Sequence, residues 1–197
     1  MTLAVRGRVL RALLALPLLA IPASVRASGF ALESQGARAM GFSGAYVAQA
    51  ADPSAIYYNA AGIGFLKGKH FYGSALVGGL STDFTGEGPY PPVGTLETSS
   101  RGLGAIPALY YSQQVGERVY VGLGFNRPFG FKSQWDNPDQ FTGRYICTDC
   151  KIDSWAFNPT IAFRLEDRFA IGGGIDMRFS SFRQTRRLQA NPNPFPV

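Results

Sequence analysis

Residues 155–179 read WAFNPTIAFRLEDRFAIGGGIDMRF, with a two-residue turn at Glu166-Asp167. On both sides of this turn an apolar side chain falls on every second position, and the set is Trp155, Phe157, Ile161, Phe163, Leu165, Phe169, Ile171, Ile175, Met177 and Phe179. Successive side chains of a β-strand point to opposite faces, so the stretch predicts two strands with one apolar face each. Each strand reaches the length of about 9–11 residues that a tilted strand needs to cross a bilayer.

The first 27 residues have the pattern of a secretory signal peptide. Arg6, Arg8 and Arg11 precede an apolar run over 13–21, and Val25-Arg26-Ala27 supplies small residues where signal peptidase cuts. An uncleaved anchor is the alternative. Removal of residues 1–27 takes away four arginines and no acids, so 19 basic and 13 acidic residues become 15 and 13. A mature charge of +2 gives no support to a nucleic-acid partner.

The rest of the composition narrows the class to a membrane barrel. After the signal no apolar run approaches the roughly 20 residues of a membrane helix, and a closed barrel is the other structure that satisfies the backbone in lipid. Glycine is abundant, with 24 residues, and several glycines stand inside strand-like runs. We expect Gly122, Gly124, Gly172 and Gly174 to face inward and leave room for a plug or a passing ligand.

The predicted strands and their connections follow the plan of an outer-membrane barrel. The strands are 70–84, 103–114, 118–126, 152–165 and 168–182, whereas residues 28–66 lack long alternation and predict a compact segment without strands. Two connections are tight, at 115–117 and 166–167, and the two at 85–101 and 127–151 are long. Outer-membrane barrels have short periplasmic turns and long extracellular loops. The predicted fold is therefore an all-β, antiparallel transmembrane β-barrel, of which residues 67–197 supply about five strands.

Several motifs resemble one family in order and spacing. They are SGFAL at 28–32, GARAMG at 36–41, SGA at 43–45 and ADPSAIYYNAAGI at 51–63, followed by GRY at 143–145, NP at 158–159 and GGG at 172–174. Together these resemble the N-terminal part of the FadL-type outer-membrane transporters of long-chain fatty acids and other hydrophobic compounds.

The resemblance implies a fourteen-stranded barrel, monomeric when complete, whose residues 28–66 fold inside as a hatch. It also implies a hydrophobic ligand captured outside and released sideways past a kinked strand, in contact with outer-membrane lipid and lipopolysaccharide and without a cofactor. Asn59, Ala60, Ala61 and Gly62 fall on the family's Asn-Pro-Ala-Gly hatch motif, with Ala60 in place of proline. The alanine restores a backbone N–H and frees a fixed dihedral, so the local turn is expected to differ. An ordinary turn is the alternative.

The strand that begins near residue 118 contains the expected lateral opening. Its alternation is interrupted by Arg127-Pro128-Phe129-Gly130-Phe131, and proline cannot donate to a β-ladder. We expect Asn126, Pro128 and Gly130 to bend the strand away from the preceding one. The alternative is that Pro128 ends the strand at the membrane surface.

Aromatic residues around this point are the candidate ligand contacts. We assign substrate binding to Phe125, Phe129 and Phe131, because burial of apolar surface stabilises an acyl chain by about 25 cal/mol per Å². The alternative is that these three phenylalanines belong to the aromatic girdle at the membrane interface. For Tyr145 and Trp155 we expect this girdle role.

The two cysteines, Cys147 and Cys150, are expected to form a disulfide in an extracellular loop, because exported proteins meet an oxidising compartment. A zinc site would need two further ligands, and His70 is the sole histidine. No nucleophile elbow, metal pattern or phosphate loop is present, so we expect no enzyme and no metal. One alternative is a general outer-membrane porin. The other is an outer-membrane lipid-modifying enzyme, and such an enzyme would lose lipid hydrolysis on replacement of His70.

The number of strands limits what the chain does alone. Bacterial barrels have at least about 8 strands and leave no edge unpaired in lipid. We therefore expect this chain to be the N-terminal portion of a longer protein and to be inactive by itself. Long-chain fatty acids and aromatic hydrocarbons both remain open as substrates.

Overall fold

The computed structural model of the chain describes residues 31–32, 34–99 and 102–188, so the predicted signal peptide over 1–27 and the end of the chain over 189–197 lie outside the described residues. The strands are β1 (Lys69–Leu80), β2 (Asp83–Thr85), β3 (Leu96–Thr98), β4 (Gly102–Gln114), β5 (Val119–Gln134), β6 (Asp149–Glu166), β7 (Phe169–Gly174) and β8 (Met177–Thr185). Among the described residues, two short α-helices, α1 (Ala37–Gly41) and α2 (Ala55–Tyr58), and a 3₁₀ helix (Ala60–Phe65) precede them.

The long strands form one antiparallel sheet in the order β1, β4, β5, β6 and then β7 with β8. The short strands β2 and β3 form a separate hairpin in the first long connection. Because β7 and β8 both pair with β6, they occupy one position in the sheet, which gives five wall strands. The predicted all-β antiparallel fold with about five strands is confirmed.

A proline explains why the fifth wall strand is divided. β7 and β8 keep a single register against β6, from Thr160–Gly174 on one side to Phe157–Met177 on the other. Between them, Ile175 stands opposite Pro159 and Asp176 stands opposite Asn158. Proline has no N–H to donate to the ladder, so regular pairing is interrupted there.

One predicted strand boundary was wrong, and a second is displaced by four residues. The predicted strand 118–126 continues to Gln134, because its proline is taken up in a β-bulge while pairing with β6 resumes at Phe129. Pro128 therefore does not end the strand. The predicted strand 70–84 stops at Leu80, and residues 83–85 turn away to pair with β3.

The two faces of the sheet differ in the way the alternation predicts. Along β6, Ser154, Ala156, Asn158 and Thr160 are buried, whereas Phe157 and Ile161 are 37% and 43% exposed. We call the side that carries the exposed apolar residues the outer wall and the opposite side the inner face. An apolar outer wall over long strands is what a lipid-facing barrel surface requires.

The segment that was predicted to form a hatch packs on the inner face where glycine leaves room, and we call its described residues, 31–32 and 34–66, the hatch segment. A Cβ on Gly122 would lie 2.7 Å from Ile56 Cδ1, and one on Gly124 would lie 3.0 Å from Ile56 Cγ2. On β7, a Cβ on Gly172 would lie 2.7 Å from the backbone of Ala60 and Ala61. These three glycines make room for the segment, as predicted.

Gly174 differs from the other predicted plug-facing glycines. A Cβ there would lie 2.6 Å from the carbonyl oxygen of Pro159 and 2.6 Å from Thr160 Oγ1, both on β6. Gly174 lies on the inner face, as expected, because its register partner Thr160 is buried there. Its close neighbours are on β6 and not on the hatch segment, so room for a plug at this position stays a prediction.

The strand connections divide the sheet into two ends. The tight turns after β4 and β6 lie at one end, and the connections over 81–101 and 135–148 lie at the other. By the rule for outer-membrane barrels, we expect the long-connection end to be the extracellular one, and we call it the extracellular end. No helix within the described ranges is both long enough and apolar enough to cross a bilayer.

Candidate functional site: a gap beside strand β5

The two edges of β5 are paired to different extents. Its edge toward β6 is paired from Val119 to Gln134, with one irregularity between Asn126 and Phe129. Its edge toward β4 is paired from Tyr120 to Phe125, where the ladder stops at Leu109. Residues 102–108 of β4 continue to pair with β1. In the described part of the chain, β4 and β5 therefore separate toward the extracellular end.

A β-bulge marks the point of separation. Asn126 pairs with Ala156 and Phe129 with Ser154, so Arg127 and Pro128 together stand opposite the single residue Trp155. A bulge of this kind bends a strand and disrupts its ladder locally. The structure thus places Asn126, Pro128 and Gly130 beside the gap, and passage of a ligand through it stays a prediction.

The chain's own N-terminal residues occupy the gap. Ala31 forms an antiparallel bridge with Phe129, and the backbone N–H of Leu32 donates to the carbonyl of Pro128 at 2.8 Å. At the same level, Arg127 Nη1 donates to the carbonyl of Ala105 on β4 at 3.3 Å. Residues 31–32 therefore stand in for β4 as the neighbour of β5.

Gln35 completes this substitution with its side chain. Its Nε2 donates to the carbonyl of Arg127 at 2.8 Å, and its Oε1 accepts from the Arg127 N–H at 3.3 Å. The carboxamide thus satisfies both backbone groups that a β4 residue would otherwise satisfy. Gln35 is fully buried, with its own N–H donating to Tyr58 Oη at 2.8 Å and its carbonyl accepting from Tyr110 Oη at 3.0 Å.

The bulge also changes which face the following side chains occupy. Because β5 gains one residue relative to β6, Phe129 and Phe131 pair with Ser154 and Ile152 and share the inner face with the buried Ser154. Arg178 lies over the Phe129 ring at 5.0 Å. Both phenylalanines therefore face inward at the extracellular end.

Phe125 lies elsewhere. It precedes the bulge on the outer wall, is 41% exposed, and stacks on Trp155 with ring centroids 5.1 Å apart. The structure therefore does not bring it together with Phe129 and Phe131. Its assigned role in substrate binding stays a prediction, and its position is outside the gap instead of at the mouth.

The predicted hatch motif forms the start of the 3₁₀ helix. Asn59 Nδ2 donates to the carbonyl of Val47 at 3.0 Å, and the Gly62 N–H donates to the Asn59 carbonyl at 2.8 Å. Gly62 is surrounded closely, since a Cβ there would lie 2.7 Å from the Cβ of Ala50. Ala60 is the first residue of this helix, a position that also tolerates proline.

The buried carboxylate of Asp52 links residues 38, 46 and 54 of the hatch segment. Asp52 accepts from Tyr46 Oη at 2.8 Å and from the Ser54 N–H at 2.9 Å, and Arg38 Nη1 lies 3.7 Å from it. Burial raises the pKa of the Tyr46 hydroxyl, and its hydrogen bond to Asp52 raises it further. Tyr46 therefore stays protonated and continues to donate at neutral pH.

The extracellular connections pack against each other. Cys147 and Cys150 form a disulfide beside the start of β6. Trp135 and Phe141 stack with centroids 4.0 Å apart and line a cavity of about 350 Å³ together with residues of β3. Within the described residues, no group of three or more His, Cys, Asp or Glu could hold a metal ion.

Sequence reasoning located the gap but missed what fills it. Gln35 and Leu32 carry no signal of their own, because a glutamine in a glycine-rich segment and one leucine are common residues. The interruption at Arg127-Pro128 was the available signal, since a bulge leaves backbone groups that another segment must satisfy.

Comparison with known proteins gives a consistent result. Residues 18–191 match the family described as outer membrane protein transport protein (OMPP1/FadL/TodX). The outer membrane protein NMB0088 of Neisseria meningitidis serogroup B is 31% identical over 122 residues, which cover 58% of this chain and 26% of that protein. A crystal structure of a Pseudomonas aeruginosa FadL homologue shares the fold with a TM-score of 0.58 and 21% identity, covering 79% of this chain and 38% of that one. The chain thus spans well under half the length of both.

Proposed function

The chain belongs to the OMPP1/FadL/TodX family of outer membrane transport proteins, and from this premise we propose that the whole protein carries hydrophobic compounds passively across the outer membrane. Its location is the outer membrane. A ligand is captured at the extracellular end, passes along the inner face and leaves sideways between β4 and β5. Long-chain fatty acids and aromatic hydrocarbons are the candidate ligands.

The observation that carries this proposal is the unpaired stretch between β4 and β5. Two neighbouring wall strands separate beyond the pair Leu109–Phe125, and the space is filled by residues 31–32 instead of a wall strand. A segment held by a few hydrogen bonds is displaced more readily than a strand, since each bond contributes about 0.5–1.5 kcal/mol net. The hatch segment is therefore the movable part of the wall.

The capture site in this proposal is the inner face beside Phe129 and Phe131. Both residues lie on the part of β5 that borders the gap, toward the end that carries the long connection. Burial of each ligand methylene there contributes about 0.8 kcal/mol, so a long acyl chain gains more than a small ring. Phe125 and Trp155 on the outer wall would meet the ligand as it leaves.

The test is a reversible closure of the gap in the full-length protein. Ala31 and Phe129 are opposed β-partners, and opposed antiparallel Cα atoms lie about 4.5–5.5 Å apart, within the range of a disulfide. We expect cells with the Ala31→Cys/Phe129→Cys double variant to lose uptake of labelled oleate when oxidised and to regain it on reduction.

The single variants Ala31→Cys and Phe129→Cys, oxidised and reduced in the same way, control for the substitutions and for the native Cys147–Cys150 disulfide. Unchanged uptake by the fully oxidised double variant would rule out exit through this gap. Competition of labelled oleate by toluene then separates the two ligand classes.

The two alternative functions make different predictions in the same preparations. A general porin would admit small sugars into proteoliposomes, but the hatch segment packs tightly against Gly122 and Gly172 on the inner face. A lipid-modifying enzyme would release fatty acid from phospholipid and lose this activity in His70→Ala. We expect neither sugar influx nor lipid hydrolysis.

A further inference from the structure

Three basic residues lie side by side across neighbouring strands. Lys132 of β5 is the register partner of Lys151 of β6, and Lys151 is the register partner of Arg183 of β8. Neighbouring strands are about 4.8 Å apart, so the three backbone positions span roughly 10 Å. We call these three residues the basic row.

The basic row lies on the outer wall. Lys151 is separated by even steps from Phe157 and Ile161, which are exposed, and by odd steps from Ser154 and Ala156, which are buried. Lys132 reaches the same side only because of the bulge, since an unbroken alternation from the buried Tyr120 would turn it inward. The irregularity that accompanies the gap therefore also aligns the row.

The level of the row along the strands matches the lipid headgroups. Lys132 and Lys151 stand two residues from the ends of their strands, next to the connection over 135–148 at the extracellular end. Trp155 lies four residues further into the wall, about 13 Å away at the strand rise, and its register partner is Phe179. Cations above aromatic and apolar residues match a lipid with an anionic headgroup and acyl chains below it.

The charge of the row is not balanced by the protein. Asp153 lies 3.2 Å from Lys151 Nζ and 2.9 Å from Arg127 Nε, so one carboxylate serves two cations. With Asp149 included, four cations and two carboxylates on this part of the wall leave a net charge of +2. In the described part of the chain, neither Lys132 nor Arg183 forms an ion pair. Like charges directly opposite each other in a sheet are destabilising unless an anion lies between them.

We infer that the basic row binds the phosphate of a phosphorylated lipid of the outer leaflet, with Lys132, Lys151 and Arg183 as its ligands and the wall around Trp155 and Phe179 against its acyl chains. Ammonium and guanidinium groups form strong, charge-assisted hydrogen bonds with phosphate oxygens. The three cations lie on the opposite face of the sheet from Phe129 and Phe131, so the phosphate site is separate from the proposed capture site, whereas Trp155 also borders the proposed exit.

The experiment measures lipid binding by the full-length protein in a nonionic detergent with native mass spectrometry. The probes are a bis-phosphorylated acylated disaccharide lipid, its dephosphorylated form and inorganic phosphate. We expect the phosphorylated lipid to bind at least about tenfold more tightly than the dephosphorylated one. The triple variant Lys132→Gln/Lys151→Gln/Arg183→Gln is expected to lose this preference.

The control variant changes three cations at the opposite end of the sheet, Lys67→Gln/Lys69→Gln/Arg118→Gln, and is expected to bind like the wild type. The charge-conserving Lys132→Arg/Lys151→Arg variant is expected to retain binding, which separates loss of charge from misfolding. Equal losses in the row and control variants, or no preference for the phosphorylated lipid, would overturn the proposal. Inorganic phosphate that displaces the lipid at equal concentration would also overturn it, by showing a free-anion site.

Discussion

The two edges of β5 have the same backbone but different neighbours. Toward β6 the strand passes a proline, takes up one extra residue and resumes pairing at Phe129, whereas toward β4 it never resumes. The difference teaches that a proline and a bulge do not open a sheet by themselves. The opening depends on which segment satisfies the free edge, and here that segment is the N-terminal chain with Leu32 and Gln35.

The largest expected effect comes from removing the asymmetry between the two edges. Deletion of Pro128 removes the one extra residue while leaving Phe129 opposite Ser154. β5 would then be regular and free to pair with β4 beyond Phe125. We expect uptake of a hydrophobic ligand by the full-length protein to fall at least about tenfold, since exit through the gap is closed.

Amide hydrogen exchange tests whether β4 and β5 pair beyond Phe125 in this variant. The backbone N–H of Ala105, on the edge of β4 that faces β5, is expected to become protected in the deletion variant. Pro128→Ala is the matched control, because it restores an N–H but keeps the extra residue. Lost uptake without new protection in β4 would mean that the bulge acts by some route other than pairing.

The next largest effect concerns the contact that seats the hatch segment. A side chain on Gly172 would collide with the backbone of Ala60 and Ala61, whereas one on Gly173 would meet nothing within 4 Å. Gly172→Val should destabilise the protein by about 1–3 kcal/mol through overpacking, and Gly173→Val should change stability by less than about 0.5 kcal/mol. Thermal unfolding and proteolysis of residues 31–66 measure both, and similar behaviour of the two variants would contradict this seating.

The most local of the expected effects concerns the edge itself. Gln35→Ala leaves the backbone groups of Arg127 without their side-chain partner and should cost about 1–3 kcal/mol of local stability. We expect faster hydrogen exchange at Arg127 and no loss of the ladder between β5 and β6. Gln49→Ala, at an exposed position of the same segment, is the control. Unchanged exchange at Arg127 would show that water replaces the carboxamide without loss.

The strand pattern of the wall was predictable because the signal is local. Alternation along residues 155–179 identified both strands and the apolar face that is exposed in the fold. The inward glycines were also predictable at Gly122, Gly124 and Gly172, since an interior element must fill the space they leave. Gly174 could not be separated from them by alternation, because its close contacts come from Pro159 and Thr160 on the paired strand.

The gap was predictable only in part. Arg127-Pro128 indicates that pairing is disturbed, but either edge of β5 could have been affected. The inversion of faces after the bulge could not be predicted, because it depends on where β6 places Ser154 and Trp155. For this reason Phe125 lies on the outer wall, whereas Phe129 and Phe131 lie on the inner face.

The sequence by itself determined the antiparallel all-β class, the five wall strands, the apolar outer wall and the position of the disturbance in β5, because period-two alternation and proline act on the strand that contains them. Only the tertiary structure decided that β4 leaves β5 at Phe125, that Gln35 serves as the missing neighbour, and that Lys132, Lys151 and Arg183 lie in one row. These features depend on register between residues far apart in the chain, and register is set by the paired backbone and not by any one strand.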